Sequence, residues 1–246
     1  MDPELIRVDL GTEQIEACLV ELGRLSDLES AAARFLTGPE RAEYAELRHP
    51  RRRREWLGAR VCLKLMVLRA GVVDDPLACA IVKDPRGRPR LVRAPPFVHD
   101  VVADCSLSHK GRFACGAVSR ASGLSIGVDV EEVSLRLSGL ARAFAHERDT
   151  SLGSRSEPEQ LAVLWALKEA CSKVVGRGLA LPLRDVVCEE TSPGRTSKSV
   201  NGPSWCEARI GSAKLRRRSN RDRFRSMLST LASSPGRKRC RLRLLT

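Results

Sequence analysis

The 246-residue chain admits an α+β fold, and three observations make that fold admissible. A long helical periodicity over residues 50–70 precedes a pair of short apolar segments that reads as a hairpin. A second strong helix, Gln160 to Val175, precedes an extended stretch, Leu179 to Glu189. The two halves thus run loosely parallel, each with a basic-rich helix followed by strands. The apolar share of 42% supports a buried core, and the length suits two units of about 100 residues each. No apolar run approaches the ~18 to 20 residues of a membrane span, which excludes a membrane protein. The start, MDPELIRVDL, carries acids and lacks an apolar stretch, so no secretory signal is expected.

The elements follow in order. Ser26 or Asp27 is placed to cap a helix through Leu36. Thr37-Gly38-Pro39-Glu40 restarts a helix, with Pro39 at a permitted first-turn position. Pro50 begins a longer helix, ended by Gly71. Its Leu57, Val61, Leu65 and Leu68 recur at three or four residues and form one buried face. Arg51, Arg52, Arg53, Arg54, Arg60 and Lys64 are expected elsewhere on it. Asp84 to Pro96 is turn chemistry. Asp104 to His109, a turn at Lys110-Gly111, and Phe113 to Val118 resemble a hairpin. Leu124 to Glu131 alternates strictly as a strand does, with Ile126, Val128 and Val130 facing one way and Gly127, Asp129 and Glu131 the other. A short helix lies within Ser134 to Ser154. Glu157-Pro158-Glu159 opens the strong helix, which Gly176 ends. Trp205 to Ile210 reads as one more strand.

The net charge of +13 is unevenly spread. Residues 1–192 hold 28 basic and 28 acidic side chains, whereas residues 193–246 hold 15 basic and two acidic ones. A neutral body carries a basic tail, which is not the pattern of a uniformly basic nucleic-acid-binding domain. Nine cysteines stand far apart without a CxxC pair, so no structural zinc site is expected. They read as small buried hydrophobes in a reducing cytosol, and the protein as cytoplasmic.

Three carboxylates stand out. Asp129 and Glu131 share one face of an otherwise buried segment, where an acid pair repels itself unless a cation balances it. Glu169, flanked by Lys168, shares a helix face with Trp165 and Lys173. Three converging acids suit a hard divalent ion such as Mg²⁺, which keeps waters and takes phosphates as further ligands. Spacing alone equally admits a surface acid pair and a plain helix salt bridge.

Gly-Val-Asp-Val-Glu at 127–131, followed by Trp165-Ala-Leu-Lys-Glu-Ala-Cys-Ser-Lys and a trailing Gly176-Arg-Gly-Leu179, resembles the paired signature of the 4′-phosphopantetheinyl transferase superfamily. Ser106-Leu-Ser-His109 resembles its SxSH element, Gly87-Arg88-Pro89 its G(K/R)P element, and Arg54 to Lys64 its basic helix. The resemblance covers about residues 36 to 190, and the chain looks like the single-chain, surfactin-synthetase-activating type.

That resemblance implies an α+β fold of two similar, pseudo-twofold related halves, each with a helix on a small antiparallel sheet. The halves would be residues 1–122 with coenzyme A phosphate-binding elements and 123–210 with the metal-binding and catalytic motifs, the site lying in the cleft between them. Residues 211–246 would be a basic, flexible tail. The implied activity transfers 4′-phosphopantetheine from coenzyme A to a serine of an apo acyl or peptidyl carrier protein, in polyketide or nonribosomal peptide biosynthesis, releasing adenosine 3′,5′-bisphosphate. Asp129, Glu131 and Glu169 would hold Mg²⁺. Glu169 would accept the serine proton, directly or through a metal-bound water, and Lys173 would stabilise the departing phosphate. Arg41, Arg54, Arg88, Ser108 and His109 would contact coenzyme A. The protein is expected to act as a monomer without membrane or specific nucleic-acid partners. The alternative is a non-catalytic coenzyme A binder, or a nucleic-acid-associated protein using the tail. One departure stands beside the motif: Lys110 follows His109 where the family often has Ser.

Overall fold

Helices begin where side chains satisfy their first N–H groups. Asp27 accepts from the Glu29 and Ser30 N–H groups at 3.1 and 3.0 Å and so caps α1 (Leu28–Phe35). At α2 (Gly38–Ala45) the Glu40 carboxylate accepts from both the N–H and the hydroxyl of Thr37, at 3.0 and 2.9 Å. Pro50 opens α3 (Pro50–Arg69). The computed structural model describes residues 5–8, 15–25, 27–85, 87–94, 101–119, 125–149, 156–176, 180–191, 205–210 and 238–243. The chain divides into two compact units, Met1–Glu132 and Val133–Thr246.

The first unit is an antiparallel sheet with α3 on one face. Its strands are β1 (Leu5–Val8), β2 (Ile15–Glu21), β3 (Cys79–Lys83), β4 (Pro89–Arg93), β5 (Val101–Lys110) and β6 (Phe113–Ser119), in the order β1-β2-β6-β5-β4-β3. Cys18, Val20, Cys105, Ala114 and Val118 pack with Leu57, Val61 and Leu65 of α3 in the main core. Ala17, Cys115 and Ala117 lie on the opposite face, covered by Ile126 and Val128.

Three sequence readings need correcting here. Arg60 and Lys64 were placed away from the buried face, yet α3 is buried continuously from Glu55 to Val67. Lys64 is fully buried, and its Nζ lies 2.6 Å from Glu40 Oε2. Arg60 lies between Glu40 at 3.8 Å and Glu43 at 3.4 Å, with its guanidinium 3.3 Å from the Trp56 ring centre. Burial lowers its pKa to about 10. The periodicity marked the apolar stripe but gave no sign that α2 supplies an acid to the other side. Second, part of the turn-rich segment is strand: the Asp84 carboxylate accepts from Arg88 N–H at 3.0 Å, closing a hairpin whose return strand β4 starts at Pro89. Proline is tolerated at that first position because its missing N–H costs little there. Third, residues 125–134, read as a strand through Glu131, belong to no helix or strand and join no ladder.

The second unit holds α4 (Arg136–Phe144), α5 (Glu157–Val175) and a three-stranded antiparallel sheet. Its strands are β7 (Val186–Thr191), β8 (Trp205–Ile210) and β9 (Lys238–Arg243), in that order. Glu159 caps α5 by accepting from Ser156 N–H and hydroxyl at 2.8 and 2.7 Å. Gly176, at φ 68°, ends it in the left-handed conformation that glycine adopts without a Cβ penalty. Leu137, Phe144, Leu164, Leu167, Cys171 and Val186 form the core. The Phe144 and Trp165 rings meet edge to face at 5.0 Å. Within the stretch expected to be a tail, β9 pairs with β8 from Arg243↔Trp205 to Lys238↔Ile210. A ladder is made by backbone groups, so side-chain charge does not bar it. The rest of the predicted tail lies outside the described residues. The fold is α+β, and among the described residues no helix is long and apolar enough to cross a membrane.

The Glu40–Lys64 pair generates a prediction. Removing one member of a buried pair leaves the other charge buried and uncompensated, at a cost of about 3 to 5 kcal/mol. Glu40→Gln is expected to lower the unfolding free energy by about that much, measured by urea denaturation. The half-exposed Glu43→Gln is expected to cost clearly less.

Candidate active site

The site is built on β5. Successive side chains of a strand point to opposite faces. The pairings Ser106↔Ala117 and Ser108↔Cys115 place Asp104, Ser106, Ser108 and Lys110 on the face away from α3. Cys105, Leu107 and His109 point toward α3.

The face away from α3 holds residues 126–131 by side chains. Asp104 Oδ2 accepts from Ile126 N–H at 2.8 Å, and Ser106 Oγ accepts from Val128 N–H at 3.0 Å. Ser108 Oγ donates to Asp129 Oδ1 at 2.6 Å. Lys110 Nζ meets Glu131 Oε1 at 2.7 Å. The segment is thus extended with its apolar residues down, as the alternation predicts, while side chains of β5 take the place of a backbone ladder. Arg88 belongs to this anchoring. It is buried, its Nη2 lies 2.5 Å from Asp104 Oδ2, and it also donates to the Ile126 carbonyl at 3.4 Å. Arg90 Nη1 reaches the other Asp104 oxygen at 3.4 Å.

On the α3 side, His109 stands between two residues of α3. Its Nε2 lies 3.2 Å from Arg52 Nη1 and its Nδ1 3.5 Å from Glu55 Oε2. A guanidinium only donates, so Nε2 is the acceptor there and Nδ1 carries the proton toward the carboxylate. Glu55 also accepts from Arg51 Nε at 2.9 Å, a bond that raises the arginine's pKa further. Next to it opens a cleft of about 830 Å³ whose lining includes Arg51, Arg53, Arg54, Arg112, Glu29 and Glu132. Arg53 pairs with Glu29 at 3.0 Å. Among the described residues no acid lies within ion-pair distance of the exposed Arg54. Arg41 is exposed on α2 and does not line the cleft.

Glu169 and Lys173 lie one turn apart on α5 of the second unit, both partly exposed. Lys168, which looked like a flank of Glu169, is fully buried and serves the fold. Its Nζ lies 2.8 Å from Asp149 Oδ2 and donates to the Phe144 carbonyl at 2.7 Å. Asp149 also accepts from His146 and Cys188 N–H groups at 2.7 and 2.9 Å, so one ion pair joins α4, α5 and β7. Sequence reasoning gave no role to Asp104, Ser106 or Asp149. For the first two a signal existed: polar residues at every second position from Asp104 to Lys110.

Asp129 and Glu131 offer oxygen donors alone, which fits a hard divalent ion. Asp129 is oriented by a neutral hydroxyl, whereas Glu131 already faces an ammonium. Among the described residues no three His, Cys, Asp or Glu side chains lie close enough together to share one ion.

Residues 125–221, less than half of the chain, match the family model of the 4′-phosphopantetheinyl transferase superfamily. No curated protein matches the chain. Among solved structures it is similar to a holo-(acyl-carrier-protein) synthase from Bacillus anthracis str. Ames in complex with CoA (3′,5′-ADP). The identity is 26% over 43% of this chain and 92% of that one, with a TM-score of 0.36. It is also similar to the Helicobacter pylori holo-[acyl-carrier-protein] synthase in complex with coenzyme A, at 19% identity over 43% of this chain and 97% of that one, with a TM-score of 0.32.

The burial of Arg88 predicts a structural phenotype. Arg88→Met is expected to cost about 3 kcal/mol of stability and to speed amide exchange at Ile126. Calorimetry and hydrogen-exchange mass spectrometry on the purified variant check this. An arginine that served a ligand alone would leave both unchanged.

Proposed function

We propose that the chain is a 4′-phosphopantetheinyl transferase, moving 4′-phosphopantetheine from coenzyme A to a serine hydroxyl of an apo acyl or peptidyl carrier protein. The observation that carries the reading is the family match over 125–221, a stretch that contains Asp129, Glu131, Glu169 and Lys173. In the reaction the serine oxygen forms a bond to the β-phosphorus, the phosphoanhydride P–O bond breaks, and adenosine 3′,5′-bisphosphate leaves. Glu169 takes the serine proton, directly or through a water, and Lys173 neutralises charge growing on the departing phosphate. Asp129, Glu131 and Glu169 are the carboxylates that would hold Mg²⁺, which supplies charge neutralisation to the pyrophosphate when bound. Ser108 fixes the orientation of Asp129. Arg54 and His109 supply a cation and an imidazole to the anionic co-substrate, with Arg41 and Arg88 as further candidates. Cys18, Cys62, Cys79, Cys105, Cys115, Cys171 and Cys188 are buried free thiols, which supports a reducing, cytosolic setting. The reading includes action as a monomer.

The test is incubation with fluorescent coenzyme A and an apo carrier protein. Labelled carrier is expected, with losses on the order of 10²-fold or more for Asp129→Ala, Glu131→Ala and Glu169→Ala. Full transfer in excess EDTA would remove the metal from the mechanism, and no labelling of acyl or peptidyl carriers would remove the function.

Lys173→Ala is expected to lower kcat more than it raises KM for coenzyme A, because its partner charge develops as the phosphate leaves. Steady-state kinetics decide. A raised KM with unchanged kcat reassigns the lysine to ground-state binding.

A further inference from the structure

Lys110 is the one member of the β5 series that places a full positive charge on the 126–131 segment. Its Nζ lies 2.7 Å from Oε1 and 3.0 Å from Oε2 of Glu131. Oε1 also accepts the Glu132 N–H at 3.0 Å. The Glu131 side chain is only 8% exposed and that of Lys110 29%, so water screens the pair weakly. Both carboxylate oxygens are therefore engaged by donors. A carboxylate ligand of Mg²⁺ must bring an oxygen to about 2.0–2.1 Å from the ion. An ammonium bridging the same two oxygens occupies that approach and repels a divalent charge placed there.

We infer that Lys110 is a positioning residue that competes with the divalent ion for Glu131, whose carboxylate is held back by an internal cation. This rests on the transferase reading and its metal site. It gives the departure of Lys110 from the family pattern a consequence: the protein binds its ion more weakly than its carboxylates alone would allow.

The experiment is direct binding of Mn²⁺ to the full-length protein without coenzyme A, followed by electron paramagnetic resonance of the free ion. Lys110→Ser is expected to tighten Mn²⁺ binding about fivefold, the scale of removing one such ion pair. Lys110→Arg keeps the charge and is expected to retain the parent affinity. Glu131→Gln is expected to weaken binding less in the parent, where Lys110 already engages the carboxylate, than after Lys110 is replaced. In the Lys110→Ser background it is expected to weaken binding about fivefold. Lys110→Gln, with a thermal melt of each variant, guards against a Lys110→Ser protein that fails to fold. Unchanged or weaker binding in Lys110→Ser and Lys110→Gln overturns the inference. So does an equal loss from Glu131→Gln in both backgrounds, or no Mn²⁺ binding by either protein. Failure of the parent reading shows separately, as Mn²⁺ binding indifferent to Asp129→Asn or as no transfer to any carrier.

Discussion

The alternation of side chains along β5 is the constraint on which the rest of the first unit depends. Between Asp104 and Lys110 every even-numbered residue points away from α3 and every odd-numbered one toward it. A slip of one residue in the pairing with β6 would turn Asp104, Ser106 and Ser108 into the apolar core. It would also expose Cys105 and Leu107. The register is therefore strongly specified, and it positions His109 against α3 and Asp129 against the opposite face. The polar side chains do more than tolerate their face: they replace a neighbouring strand. Hydrogen bonds from Asp104 and Ser106 satisfy backbone N–H groups of Ile126 and Val128, so an extended segment lies across the sheet without joining it. A buried N–H needs some partner, and here the acceptors come from side chains at the spacing of the segment itself.

Helix α3 supplies the second support. A helix buried on all sides must either be apolar all round or bring partners for its charges. This one keeps Arg60 and Lys64 and meets them with Glu40 and Glu43 of α2. Glu40 is engaged four times over, by the Thr37 N–H and hydroxyl, by Lys64 and by Ile81 N–H at 3.1 Å. A single carboxylate thus starts α2, neutralises α3 and fastens β3. Such a network defines one packing arrangement because every alternative leaves a charge without its partner. The second unit repeats the device with Asp149 and Lys168.

Much of this was legible in the sequence because it rests on local rules. The caps at Asp27 and Thr37, the prolines that open α3 and α5 and the glycine that ends α5 all act within one turn of their own residue. The burial of Ile126 and Val128 also read correctly, whereas Asp129 and Glu131 reach back to Ser108 and Lys110 on the same face of β5. What escaped was long-range pairing of charge. Nothing near Lys64 or Lys168 in the chain shows that an acid 24 residues earlier or 19 earlier lies against it. Basic residues on a helix are usually solvated, and that expectation failed where tertiary contacts supplied a counterion. Strands β1, β2, β3, β4 and β9 were missed for a related reason: short segments that mix apolar with charged residues carry a weak periodic signal. In the candidate site the motif residues were visible, whereas the roles of Asp104 and Ser106 needed the sheet.

The opposite faces of β5 reconverge at its end. Lys110 pairs with Phe113 across a two-residue turn, Gly111-Arg112, and Gly111 takes φ 55° to make it. A side chain at Gly111 would be strained and would also run into the Glu132 carboxylate. The turn is therefore closed over by the residue that follows Glu131. Gly111, Arg112 and Glu132 all line the cleft at the start of α3, beside Arg51, Arg53 and Arg54. The acidic segment from one face and the arginines from the other thus meet around one turn, although Asp129 and His109 project in opposite directions from the strand. A polyanion lying in the cleft would have guanidinium groups on one side and, one residue beyond Glu132, the Glu131–Lys110 pair on the other. The glycine after Lys110 serves the turn itself, because its φ of 55° is a conformation that residues with a Cβ rarely adopt.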